Sequence, residues 1–160
     1  MISQNLQNAI NGQIAAEMWS ANLYLSMSYY FESKGYNGFA SWMKVQAKEE
    51  NEHADMLAQY VMKRGGRAVV SAIEAVPQEW TSPLDVFEHV YKHECHVSKL
   101  IDKLVDVASA DKDKASQDFL WSFVREQVEE EATAQSIVDK IKLGGEAALY
   151  HLDLKLGERK

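Results

Sequence analysis

Only eight glycines and two prolines interrupt this chain of 160 residues, and they fall together. Gly35 and Gly38 bracket one short break, Gly65 and Gly66 end a second stretch, and Gly144 and Gly145 end a late one. Pro77 and Pro83 share the interval between residues 66 and 84. The stretches between are rich in Ala, Leu, Glu, Lys, Gln and Met, which lose little side-chain freedom on entering a helix. They predict helices over about 4–33, 38–64, 83–109 and 113–142, with a short fifth over about 146–156. The third has the clearest start, with Ser82 as N-cap, Pro83 at the first helical position and Asp85 in the first turn.

Four helices near thirty residues would each run about 40 Å, a length that suits a bundle. The first and third connections are short, so they predict antiparallel hairpins. The connection from Gly65 to Ser82 reaches up to roughly 60 Å when extended, enough to travel the whole bundle and leave the second and third helices parallel. The expected fold is therefore all-α: one domain over residues 1–160, a four-helix bundle with one long crossover.

Composition narrows the function classes. With 46% hydrophobic and 26% charged residues the chain is not expected to be disordered. A net charge of −7 disfavours nucleic acid as a partner, because phosphate binding needs concentrated Lys and Arg. The single Cys95 cannot form an internal disulfide, which suits a reducing compartment. The first residues carry neither a basic nor an apolar leader pattern, and no apolar run approaches the ~18 residues of a membrane span. The expectation is a cytoplasmic protein with no membrane partner. The acid excess stays open between solubility and chemistry.

Winding each helix at about 100° per residue shows what shares its apolar face. The first stripe is Leu6, Ile10, Ile14, Glu17, Ala21, Tyr24, Phe31. The second is Phe39, Trp42, Gln46, Glu50, His53, Leu57, Tyr60, with Glu49 at its edge. The third is Phe87, Val90, Glu94, Val97, Ile101, Leu104, Ala108. The fourth is Phe119, Phe123, Gln127, Glu130, Ala134, Ile137, Ile141, with Glu126 at its edge. Each helix thus carries a carboxylate near the middle of its core-facing stripe, and no Lys or Arg stands among these positions.

An ionised carboxylate buried without a partner costs several kcal/mol, so four in one core must protonate or bind cations. Two divalent metals balance four carboxylates, with His53 as a neutral nitrogen ligand beside Glu50 at i, i+3. Mixed Glu and His ligands suit iron, manganese or zinc, and the residues alone do not choose among them. Di-iron carboxylate bundles use one Glu from each of two helices and a Glu-x-x-His motif from each of the other two. Here the fourth helix departs, reading Gln127-x-x-Glu130.

With these residues in place, the chain resembles the bacterial non-haem ferritins over essentially its whole length. The resemblance rests on Glu17 and Tyr24, the run Glu49-Glu50-Asn51-Glu52-His53, Glu94, and Gln127-Val128-Glu129-Glu130. It implies a ferritin-like bundle in which Glu17, Glu50 and His53 hold one iron of a ferroxidase centre. Glu50 would bridge to a second iron completed by Glu94 and Glu130, with Gln127 nearby and Tyr24 tuning the site. It also implies a third iron site at Glu49, Glu126, Glu129 and Glu130. Fe(II) and O2 or H2O2 would be the reactants, and 24 subunits would form a hollow cage that stores ferric mineral. A discrete di-iron oxidase or peroxidase without mineral storage is the alternative. Bacterioferritins place a haem-ligating Met where Asn51 stands, so no haem is expected.

Three weaker signals carry expectations of their own. The first helix is apolar beyond its stripe at Met18, Trp19, Leu23, Leu25 and Tyr29, which predicts burial on a second side by another subunit. The run Arg67-Ala68-Val69-Val70 reads as strand-like. His89, His93 and His96 share a face off the third apolar stripe and are expected to be solvated or at a subunit contact.

Overall fold

A computed structural model describes all 160 residues and contains four helices: α1 (Gln4–Ser33), α2 (Asn37–Lys63), α3 (Pro83–Ala110) and α4 (Lys114–Leu156). The expected all-α bundle is what the chain forms. α1 packs along α2 and α3 along α4, with α1 also against α3 and α2 against α4.

Each start is made locally or borrowed. The Ser3 hydroxyl accepts from the Leu6 N–H at 3.0 Å, and the Ser82 hydroxyl from the Asp85 N–H at 3.1 Å. The Asp113 carboxylate accepts from the Ser116 N–H at 3.0 Å and is held by Arg64 at 3.0 Å. Its acid is thus a helix cap. α2 has no side-chain cap of its own. Instead Asp153, far along the chain, accepts from the Phe39 N–H at 2.8 Å. The α3–α4 turn contains no glycine; Lys112 takes the left-handed conformation, φ 55°, and the Asp113 N–H returns to the Ala108 carbonyl at 3.0 Å.

The stretch expected as a short fifth helix, about 146–156, is helical and is set off from the rest of α4 by a break at Gly145, φ 62° and ψ −162°, a region that essentially only glycine occupies. One expectation changes. The strand-like run 67–70 is loop, because its polar backbone is engaged by α1 rather than by a strand. Asn11 donates to the Arg67 carbonyl at 3.0 Å and accepts from the Val69 N–H at 2.9 Å. Further on, Ser26 donates to the Pro77 carbonyl at 2.6 Å. The crossover therefore climbs α1 from its first turns toward its last and leaves α2 and α3 parallel.

The apolar core comes in two halves. One holds 18 buried residues around Phe31, Phe39, Trp42 and Phe87, and the other holds 12 around Leu6, Ile10, Leu57 and Ile101. On every helix the gap between the halves falls at the carboxylate of its apolar stripe. No helix is long and apolar enough to cross a membrane.

Candidate metal centre

The layer between the two halves receives one acid from each helix: Glu17, Glu50, Glu94 and Glu130, only 2%, 2%, 1% and 9% exposed. None of them forms an ion pair with a lysine or arginine. Burial of this depth removes the water that would otherwise stabilise four negative charges.

Glu17, Glu50 and His53 offer ligand atoms all within 4.8 Å of one another. Nδ1 of His53 stands 3.8 Å from Glu50 Oε1 and 4.0 Å from Glu17 Oε2. These are too long for hydrogen bonds, but two ligands each about 2.1 Å from one ion lie at most about 4.2 Å apart. Oε1 of Glu17 accepts from Gln13 Nε2 at 2.9 Å, while Oε2, which faces His53, has no hydrogen-bond partner. An orphaned buried oxygen on a hard carboxylate is what a divalent cation would satisfy.

The other two acids are oriented by neutral donors. Glu94 accepts from the Tyr24 hydroxyl through Oε1 and from Gln127 Nε2 at 3.0 Å through Oε2. Gln127 also reaches the Glu94 carbonyl at 3.2 Å, and Gln46 Nε2 donates to Glu130 Oε2 at 2.9 Å. These contacts fix geometry without cancelling charge. Burial therefore raises Glu50 well above the usual carboxylate range, helped by its contact with Glu17 and by the charges of Glu94 and Glu130. Burial and the Glu130 charge push Glu94 up to about 7, against the pull of Tyr24 and Gln127. Glu130 is raised by burial and by Glu49 and Glu126, while Gln46 and Arg159 pull it down. Tyr24, fully buried beside Glu94, is held in its neutral form.

The remaining acids are placed differently. Glu49 is half-buried and bonded to Arg159 Nη2 at 2.9 Å. Glu126 is exposed, yet its charge acts on Glu130. Glu129 is exposed and makes no hydrogen bond or ion pair.

The pattern in the sequence missed several supporting side chains. Gln13 sits four residues before Glu17, one helical turn away, and that spacing was a readable signal. Arg159 left none. His93 corrects an expectation: it is 8% exposed rather than solvated, bonded to Ser20 Oγ through Nε2 at 2.7 Å and packed beside Trp19. Burial, with His89 and His96 nearby, lowers it to about 4, so it stays neutral at ordinary pH. The α1–α3 contact covers it, which the phase of α3 alone does not reveal.

Comparison with known proteins identifies relatives of the whole chain. The family defined by the ferritin-like domain matches residues 7–144. A bacterial non-heme ferritin of Bacteroides fragilis is 65% identical over 99% of this chain and 100% of its own. A probable bacterial non-heme ferritin-like protein of Haemophilus influenzae is 38% identical over 98% of this chain and 96% of its own. The open pore ferritin of Archaeoglobus fulgidus superposes with a TM-score of 0.98 at 50% identity, covering both chains fully.

Proposed function

Because this chain belongs to the ferritin-like domain family, we propose that it stores iron, oxidising Fe(II) at the buried acid layer and retaining the product inside an assembly of its own copies. One observation carries the reading: four buried carboxylates, one from each helix, meet without a basic partner, and one of their oxygens is orphaned beside His53.

The substrate cations would enter a site already shaped for them. Glu17, Glu50 and His53 would take one Fe(II), and Glu50, Glu94 and Glu130 a second, with Glu50 shared. Burial favours the protonated forms of Glu50, Glu94 and Glu130, so cations binding to them would displace protons and iron uptake would release protons. Two Fe(II) supply two electrons together, enough to reduce O2 to peroxide or H2O2 to water. Gln46 and Gln127 keep Glu130 and Glu94 aimed as the ions change charge, and the Tyr24 hydroxyl holds the far oxygen of Glu94. Ions leaving the pair would pass Glu49, Glu126 and Glu129.

Assembly is part of the same proposal. Tyr29, near the end of α1, is 57% exposed, a large apolar ring on the outer side of the helix that suits a subunit contact. The number 24 follows from the family resemblance.

Excess Fe(II) added in air, followed by absorbance and particle size, tests the reading. Hundreds of irons retained per large particle support it. Turnover without retention would point to a discrete oxidase, and no oxidation at all would overturn the site.

A further inference from the structure

Arg159 belongs to the segment beyond the Gly145 break, yet its side chain ends at the border of the acid layer. Nη2 donates to Glu49 Oε2 at 2.9 Å, Nη1 reaches the Trp42 carbonyl at 3.4 Å, and the guanidinium lies 4.5 Å from the centre of the Trp42 ring. Trp42 is buried, and the Arg159 and Glu49 side chains are half-buried, 23% and 35% exposed. Stacking and two hydrogen bonds fix one guanidinium, whereas a surface pair is ordinarily loose. The segment that delivers it is anchored too, through Asp153 on the Phe39 N–H. The same positive charge is felt at Glu130, where it opposes Glu49 and Glu126.

We propose that Arg159 is a tethered counter-cation for Glu49, which a divalent cation leaving the paired site must displace, so that it weakens and shortens binding on the Glu49, Glu126 and Glu130 side. This rests on the iron reading above. A carboxylate already bonded to guanidinium offers less charge to an incoming ion, and a fixed positive group beside that ion repels it. Arg159 is thus a positioning residue that favours onward passage over retention. Nothing in the local sequence marks it, because the link to Glu49 spans the length of the fold.

Zn(II), which has no redox chemistry here, is the probe, titrated calorimetrically into the assembled full-length protein. Arg159→Gln is expected to tighten the weakest class of Zn(II) sites about three- to tenfold. Arg159→Lys keeps the charge but loses the stacked, two-bonded tether, so its weak sites should fall between those of the parent and of Arg159→Gln, an ordering by charge that a purely structural role would not produce. Adding Glu49→Gln to Arg159→Gln should remove the gain. An Arg159→Gln protein with the parent's weak sites, or a double variant that keeps the gain, overturns the proposal. If His53→Ala leaves the tight class of sites untouched, the iron-site reading falls, and this inference falls with it.

Discussion

Glu94 shows what a buried acid does when no cation is present. Its folded value of about 7 stands above the ordinary 4.5. Below pH 4.5 both folded and unfolded chains hold the proton, and the stabilising contribution is complete. As pH rises toward 7 the unfolded chain ionises first, so metal-free protein loses about 3 kcal/mol of stability per protomer from this group. Glu50 and Glu130 are raised as well, so they act in the same direction. Denaturant unfolding of metal-free protein at pH 5 and pH 8 should show the decline, and Glu94→Gln should flatten part of it. Stability that rises across this window would contradict the account. Zn(II) at pH 8 should restore what was lost, since a bound cation answers the ionised layer. His53→Ala or Glu17→Ala should slow rapid Fe(II) oxidation by at least about tenfold while helicity persists. Loss of the fold in both variants would mark these residues as structural. The carboxylates were legible because each sits in phase with apolar neighbours. Gln13 was readable from its i, i+4 spacing to Glu17, but Gln46 was not, since its partner Glu130 lies on another helix.

At the scale of elements, the segment after Gly145 is tied to the start of α2. A Cβ on Gly38 would lie 1.7 Å from the Asp153 carbonyl oxygen, so only glycine permits this approach. Asp153 then caps the neighbouring N–H of α2. Asp153→Ala should remove about 1 kcal/mol and loosen the segment. Gly145→Ala meets no steric obstacle, because nothing lies within 4 Å of the added carbon, so its expected cost of about 1–3 kcal/mol is torsional. Thermal melting together with limited proteolysis near residue 146 would read both, and a segment as protected as the parent's would refute the anchoring. The four helices were legible because their breaks fall at Gly and Pro. The α3–α4 turn was blurred because a lysine, not a glycine, takes the left-handed position there. The break at Gly145 was legible from the glycine pair, but the direction of the segment after it was not, because that depends on its distant contact with the start of α2.

For the whole molecule, the open question is which surface other copies cover. Tyr29→Glu puts a charge on the exposed apolar side of α1, away from the acid layer. Sedimentation should then show species smaller than the parent assembly, with rapid Fe(II) oxidation retained and iron storage lost. A full-size particle would remove this surface from the interface. The sequence by itself determined the bundle, the long crossover and the four acids, because helical periodicity and loop length are local quantities with direct geometric meaning. It also bounded the site's chemistry, since burial without a basic partner admits few outcomes. Tertiary structure alone decided that Asp153 caps α2, that His93 is covered by α1, and that Arg159 rests on Glu49. Each of these joins residues tens of positions apart or more, and such contacts leave no period in the chain from which they could be read.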